Sequence, residues 1–307
     1  MQGIDIEKKD GKKYRKNVES SYMVSHKSYS VEDVKTSEFV AIDEVNALDI
    51  VFNNHYSKIM PRLTKHFLGS FINKKLVGVI TLGWGVQPLN TIKKLFPSLQ
   101  SKDYLEIGKM CMLDELPRNS ESIILSKMFR WVKENRPDIK LIYTWADGIL
   151  GKPGYVYQAA NFLYGGFITT DLYLSETGER VHPRTAQAYL KDKKGVNIGR
   201  RPNKEFLIDN KWSHYRGRQF RYVYFLCNKR EKKRLLAETT LEWVRKYPKD
   251  KELVWKKKDF TDGSWSFVDE IEWKSNSPLK YNKSAIKNSR VVSTYNKAKE
   301  FFDFDGK

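Results

Sequence analysis

The chain is 307 residues long with 40% hydrophobic and 30% charged residues, which is enough apolar material for one large or two modest cores and excludes a disordered tail. No stretch reaches the roughly 18 to 20 uninterrupted apolar residues of a membrane span, and Met1 to Lys13 is polar where a secretory leader would be apolar, so a cytoplasmic protein without a membrane partner is expected. A balance of 56 Lys and Arg against 37 Asp and Glu gives +19 and points to a polyanionic partner, while Cys111 and Cys227, far apart and without a CxxC spacing, argue against a disulfide framework or a cysteine-rich zinc site.

Residues 1–36 are polar and aperiodic, and read as a mobile arm or loosely docked extension. From Ser37, SEFVAI reads as a strand, and Glu44 to Asn54 carries Val45, Leu48, Val51 and Phe52 at helical spacing. HFLGSFI and LVGVITL then flank the turn Asn73-Lys74-Lys75 as a hairpin. After an insertion over 87–103, YLEIGKMCML is a further strand, and a helix opens at Ser120 and ends before Pro137. KLIYTWA suits a central strand, Tyr155 to Tyr164 a short helix stopped by Gly165-Gly166, and FITTDLYL and FRYVYFL two more strands. Lys229 to Lys246 reads as a basic helix with Leu235, Leu236 and Leu241 inward. The expected architecture is α/β (α+β), a mixed central sheet flanked by helices over 37–248, with an extension over 249–307 that holds a small appended hairpin and a frayed tail.

The charge is unevenly spread. Residues 37–179 carry 16 bases and 15 acids, whereas residues 180–246 carry 19 and 6, interleaved with aromatic residues. The second segment is the expected DNA-binding face, gripping phosphates through Arg200, Arg201, Lys211, Arg216, Arg218, Arg221, Lys229, Arg230, Lys232, Lys233 and Arg234; the alternative is a solvated basic surface.

Signatures of P-loop hydrolases, dinucleotide folds, zincins and serine hydrolases are absent from the sequence. What remains is a strand (104–113), a loop (114–119) and a helix start at 120, where backbone N–H groups and Arg118 could hold an anion, or where the helix is simply capped. Asp147 stands at the carboxyl end of a buried strand, the usual place for ligands in open α/β sheets, with an Asx turn before glycine as the alternative. His55 and Tyr56 follow a helix end, where they either face a cleft or, for the histidine, make a surface hydrogen bond.

The order hairpin, strand, PRNSES loop, helix, strand and QAANFLYGGF resembles the GNAT acyltransferase fold, in which the same strand–loop–helix holds the pyrophosphate of coenzyme A; the R-x-x-G-x-G/A signature is missing. That likeness implies an acetyl-CoA or related acyl-CoA ligand near Arg118, Asn119, Ser120, Ser122, Tyr157, Asn161 and Tyr164. His55-Tyr56-Ser57, Leu68-Gly69, Gly78-Val79, the PRNSES loop, Ala146-Asp147-Gly148, the GYVYQAANFLYGG run, RYVYFL with Lys229-Arg230, and Tyr247-Pro248-Lys249 together resemble the Mom family of phage DNA-modification proteins over roughly residues 45–249. The resemblance implies conversion of adenine in double-stranded DNA to a carbamoylmethylated (methylcarbamoyl) base that shields the DNA from restriction, in the cytoplasm of a bacteriophage's host. It assigns His55, Tyr56 and Asp147 to the catalytic centre, and one nitrogen with two oxygen donors could also hold Fe(II) there. A duplex base is hidden by stacking, so base flipping onto an aromatic seat is expected, with Tyr56, Trp84, Trp145 and Tyr157 as candidates against core packing. The other readings are a GNAT N-acetyltransferase acting on a small amine or protein lysine, and a DNA-binding module that has lost catalysis.

Overall fold

The structure, a computed structural model, describes residues 6–9, 12–15, 29–56, 60–61, 63–85, 88–181 and 202–274. Two short strands, β1 (Ile6–Lys9) and β2 (Lys12–Arg15), pair antiparallel with each other. Helix α1 (Val31–Thr36) follows inside the stretch expected to be an aperiodic arm. It forms because Ser30 and Asp33 make a reciprocal capping box and Val34 is fully buried against the main core.

Strand β3 (Glu38–Ala41), helix α2 (Glu44–Asn54) and the hairpin β4 (Thr64–Ile72)–β5 (Lys75–Gly83) match their sequence patterns. The two-residue turn places Asn73 and Lys74 at φ 49° and 65°, the left-handed pair whose twist matches a hairpin. The insertion over 87–103 contains α3 (Pro88–Leu95), which buries Ile92 and Leu95 and whose exit buries Phe96 and Leu99. Then come β6 (Tyr104–Met112), α4 (Ser120–Asn135), β7 (Leu141–Ala146) and α5 (Tyr155–Ala159).

The helix expected over 155–164 is thus one and a half turns long. Asn161 turns left-handed at φ 62°, and Leu163 already opens β8 (Leu163–Leu174). Gly165 does not stop a helix; it lies in the strand, where a Cβ would stand 2.3 Å from the Trp243 ring. After β9 (Arg180–Val181) and α6 (Lys204–Asp209), β10 (Ser213–Phe225) starts seven residues earlier than the FRYVYFL pattern, since its first half alternates charged and small residues. The basic helix, α7 (Lys229–Glu238), is shorter than expected: Thr239 leaves the helix in extended conformation, and the chain then carries Trp243 into the core and pairs Val244 with Tyr164. The appended hairpin is present as β11 (Trp255–Lys258) and β12 (Trp265–Val268).

Ten strands form one mixed sheet in the order β12-β11-β10-β7-β6-β5-β4-β3, with β8 on the other side of β10 and β9 beyond it. Pairing is antiparallel except between β6 and β7. One face carries α1, α4 and α5 over the main apolar cluster, with Leu68, Ile80, Leu105, Ile142 and Phe220 from the sheet. The other carries α2 over Val79 and Cys111, and α3 with α7 over Tyr104, Leu141, Tyr143 and Val223. A buried amide closes the sheet's far end: Gln158 donates to the Pro248 carbonyl at 2.9 Å and to the Tyr222 hydroxyl at 3.1 Å, and accepts from Lys249 at 3.0 Å.

Candidate functional site

Strands β6 and β7 stay together only where Tyr104, Leu105 and Glu106 face Leu141, Ile142 and Tyr143. Beyond that, the β6–β5 register skips Gly108, a bulge that turns Lys109 and Cys111 to the α2 face and lets the parallel strands part. Diverging carboxyl ends of parallel strands are where open sheets leave room for a ligand. On the far side, β7 ends opposite Phe220, and β11 takes up the edge of β10 only from Gly217. The turn Gly148–Leu150 bridges this gap flat against β10, and a Cβ on Gly148 would stand 2.4 Å from the Phe220 ring and 2.7 Å from the Arg218 carbonyl.

Asp147 opens that turn. Its carbonyl accepts from the backbone of Leu150 at 2.8 Å and Lys152 at 3.2 Å, so the turn holds the residue while its carboxylate reaches the cleft. The Tyr56 hydroxyl donates to Asp147 Oδ2 at 2.6 Å and the Gln219 amide donates to Oδ1 at 3.0 Å. Tyr56 arrives from the C-terminus of α2, where His55 leaves the helix in extended conformation. The His55 ring stacks on Tyr56 with centroids 4.3 Å apart, the Lys152 ammonium lies 4.3 Å and the Arg180 guanidinium 5.7 Å from the phenol ring, and Trp273 meets its edge at 6.3 Å. Burial, and then the Asp147 charge, hold the Tyr56 phenol well above its ordinary range, so it is a neutral donor. The three residues assigned to the catalytic centre therefore meet in one place.

Further groups complete the floor, and of these Lys109, Glu106 and Gln219 were not singled out in the sequence. Burial pulls the Lys109 ammonium down to about 7 against the opposing Asp147 charge, and burial pushes the Glu106 carboxyl up to about 7. Gln219 fixes Asp147, and Arg221, two residues further along β10, is level with Trp145. Tyr157 comes from α5, its hydroxyl beside Thr144 and within the fields of Asp147 and Glu106, with burial holding it at about 12. The available signal was YLEIGKM itself, in which charged residues interrupt an otherwise buried strand. Cys111 is an inert thiol, pushed by burial to about 12, and Cys227 is half-buried and also raised by burial.

The chain's C-terminal extension reaches this site. Trp255 donates to the Ile149 carbonyl at 2.9 Å, Ile271 packs with Ile149 and Leu150, and Trp273 follows against Tyr56. The donor set of His55, Tyr56 and Asp147, one imidazole, one phenol and one carboxylate, has the chemistry to hold a ferrous ion, and the latter two oxygens converge at 2.6 Å. Among the described residues, no group of three or more His, Cys, Asp or Glu side chains gathers to hold a metal.

At the start of α4, Asn119 is the N-cap at φ 73° and makes no side-chain capping bond. Ser120 and Ser122 turn instead to the carbonyls of Pro117 at 2.5 Å and Asn119 at 2.9 Å. The first-turn N–H groups are left without a side-chain cap, so the simple-capping alternative loses its support. Of the other residues expected around a cofactor, Tyr157 is buried in the main core against Phe162 and Tyr222, exposed Asn161 holds the left-handed turn, and Tyr164 packs on Phe220 and Tyr222.

The expected basic face is divided. Arg200 and Arg201 lie outside the described residues. Along β10, side-chain alternation puts Arg221 with Gln219 on the cleft face, and Arg216 and Arg218 with buried Phe220 on the opposite one. Arg216 pairs with Asp171 at 3.0 Å and lies over Trp265, while Arg218 donates to the Glu252 carbonyl and lies over Phe167. Lys211 pairs with Glu176 at 2.7 Å, and Arg234 with Glu231 and Glu238. On α7, Lys232 covers Phe225, while Lys229, Arg230 and Lys233 are exposed. Lys256, Lys257 and Lys258 of β11 add cations that the sequence reading left out.

No helix among the described residues is long and apolar enough to cross a membrane. Two solved structures are similar in part. An N-acetyltransferase from Staphylococcus aureus Mu50 aligns at TM-score 0.33 and 11% identity over 62% of this chain and 99% of its own; a tandem GNAT protein from the clavulanic acid biosynthesis pathway aligns at 0.30 and 9% over 80% and 81%. The sequence is 33% identical over 204 residues to the methylcarbamoylase mom of Escherichia phage Mu, covering 66% of this chain and 80% of that one. The Mom protein family matches residues 36–249, which span the cleft, the Tyr56–Asp147 pair and β10. The chain belongs to the Mom protein family.

Proposed function

We propose that this protein is a transferase that modifies adenine in double-stranded DNA, placing a methylcarbamoyl-type group on the exocyclic amine. The observation that carries the proposal is the Tyr56–Asp147–Gln219 cluster, built at the mouth of the parted β6–β7 pair in a chain whose relative is named a methylcarbamoylase. Adenine's exocyclic lone pair is delocalised into the ring, so the acceptor needs a base beside it and a fixed orientation. Asp147 is the base, aimed by the Gln219 amide and the neutral Tyr56 phenol; as the amine nitrogen bonds the donor's transferred carbon, the bond from that carbon to the donor's leaving group breaks, its electron pair departs with the leaving group, and the carboxylate takes the amine proton. Lys109, Lys152 and Arg180 surround that point and oppose the negative charge that builds on the donor's leaving group. His55 orients Tyr56 by stacking on it.

An acyl-CoA-type donor would lay its phosphates at the uncapped start of α4 beside Arg118 and Asn119, with its reactive end reaching the cleft past Tyr157. A ferrous ion, where bound, would be held by His55, Tyr56 and Asp147 and would supply Lewis-acid polarisation of a carbonyl. DNA would lie across the α7 side of the cleft, and shielding of that DNA from restriction would follow from the altered base.

The test is to express the protein and its Asp147→Ala variant in bacteria, digest the DNA to nucleosides and search by mass spectrometry. A new deoxyadenosine species with the wild type and none with the variant supports the reading. Unmodified DNA together with acetylation of a small amine or of protein lysines would replace it with an N-acetyltransferase.

A further inference from the structure

Glu106 sits at the vertex where β6 and β7 part. It is level with Gly83 on one neighbouring strand and Tyr143 on the other. Two tryptophans flank this position. Trp84, one residue beyond Gly83, has its indole N–H fixed on the Ser101 carbonyl at 2.7 Å; Trp145, two residues beyond Tyr143, meets the Tyr143 ring edge-on at 5.3 Å and carries the Arg221 guanidinium 5.3 Å above it. Gly85 keeps space for the carboxyl, since a Cβ there would stand 2.4 Å from Glu106 Oε2. Within this half-buried patch, polar groups are left over. Among the described residues the Glu106 carboxyl takes part in no hydrogen bond or ion pair, and the buried Tyr143 hydroxyl and Arg221 Nε also have no partner. Two buried atoms without a partner, on Tyr143 and Arg221, beside a half-buried carboxyl that makes no bond among the described residues, with Trp84 and Trp145 at neighbouring positions of the ladder, are the surface a flat heteroaromatic ligand would complete.

We propose that Glu106, between Trp84 and Trp145, is the seat of the acceptor base, and that its carboxyl in the neutral form pairs with an N=C–NH2 edge, donating O–H to the ring nitrogen and accepting from the amine. This rests on the reading that the acceptor is adenine. Adenine and cytosine present that edge, whereas hypoxanthine presents a ring N–H beside a carbonyl. Burial raises Glu106 to about 7, so the neutral form is populated under physiological conditions. The groups facing it are the phenols of Tyr104, Tyr143 and Tyr157, all pushed upward by burial, with Lys109 on β6 and Arg221 on β10 as the nearby cations. Of these, Lys109 also titrates near 7. Its contribution persists in a Glu106→Gln variant, which separates the two.

The experiment measures calorimetric binding of 9-methyladenine and 9-methylhypoxanthine to the full chain at pH 6 and pH 8.5, for the wild type, Glu106→Gln and Glu106→Ala, beside nucleoside analysis of DNA from cells making each. The expected result is a loss of about tenfold or more in 9-methyladenine affinity from pH 6 to 8.5 in the wild type, no such loss for 9-methylhypoxanthine, near-constant affinity in the amide variant and weak binding in the alanine variant. Wild-type affinity that ignores pH, pH dependence surviving in Glu106→Gln, or full binding by Glu106→Ala overturns the assignment. So does a Glu106→Gln protein that binds 9-methyladenine normally yet modifies no DNA, because Glu106 would then be a proton acceptor. If binding follows the expected pattern while wild-type cells carry no modified nucleoside, the seat stands and the DNA-modification reading falls; modified DNA with no binding pattern sinks the seat alone.

Discussion

The two halves of the sheet are built on opposite terms. In the β3–β4–β5 half, Leu68, Val77, Val79, Ile80 and Leu82 are fully buried, and polar groups away from the cleft are matched: Ser37 and Ser70 bond each other at 2.9 Å, and Lys127 donates to the Ser37 carbonyl. Around the parted strands, including Thr81 at the cleft side of β5, the rule changes. Among the described residues, the buried side-chain atoms without a partner are on Thr81, Tyr143, Thr144, Arg180 and Arg221. Every one borders the cleft: Thr81 is level with Lys109, Tyr143 with Glu106 and Arg221 with Trp145, Thr144 lies beside Tyr157, and Arg180 lies over Tyr56. Interiors satisfy their polar groups because an unmatched one costs stability. Here the first half carries a matched apolar interior, and on the proposed function the unmatched polar groups of the second are those a ligand would satisfy.

The strongest way to break this division is Asp147→Ala. Loss of the base should lower DNA modification by about 10²- to 10⁴-fold, while the thermal melt stays close to the wild type, since among the described residues the side-chain hydrogen-bonding partners released are the Tyr56 hydroxyl and the Gln219 amide. A large loss of stability would make Asp147 a structural residue. Leu68→Ala in β4 should do the reverse, lowering the unfolding free energy by about 2–5 kcal/mol in urea titration and leaving modification per folded molecule intact. If Leu68→Ala abolished activity in fully folded protein, the two halves would be coupled.

A pH experiment sharpens the contrast. The folded protein holds Lys109 near 7, well below a free lysine, so between about 7 and 10.4 the unfolded chain binds a proton that the folded one does not. Stability therefore rises with pH across that window, and below it the buried charge is a constant penalty. Lys109→Met should raise the unfolding midpoint at pH 6 and lose that advantage by pH 10. Glu106 acts in the adjoining window: its raised folded value means stability falls as pH climbs from about 4.5 to 7. A Lys109→Met protein no more stable than the wild type at pH 6 would place the ammonium in solvent and open the cleft floor.

Much of the stable half was legible in the sequence, because the apolar runs HFLGSFI and LVGVITL, bounded by a turn, and the stripe in α2 are direct imprints of burial. The functional half was legible only in part. Asp147, Tyr56 and His55 stood out by their place at element ends and by family likeness, whereas Glu106 and Lys109 were hidden inside a strand whose bulge no periodicity reveals. Gly165-Gly166 read as a helix stop because glycine usually punctuates; at Gly165 the cause was the Trp243 ring, a contact 78 positions away in the chain. Alternation along β10 was equally misleading as a single basic face, since neighbouring arginines in sequence point to opposite sides of the sheet.

That split makes the smallest effects the most informative. If DNA is gripped on the cleft side, the cations that matter are the exposed ones with no ion-pair partner among the described residues, Lys229, Arg230 and Lys233 on α7, and not the pairs already committed to Asp171 or Glu176. Replacing all three by alanine should lower affinity for any duplex alike and reduce the slope of log affinity against log salt by up to about 2.7, three phosphate contacts at 0.9 each. Lys211→Ala should leave that slope and the thermal melt unchanged, because its ammonium is engaged by Glu176 at 2.7 Å on the exposed surface. Equal slopes for the two variants would move the DNA off α7, and the arginines of β10's opposite face, with the lysines of β11 beside them, would become the duplex-binding surface.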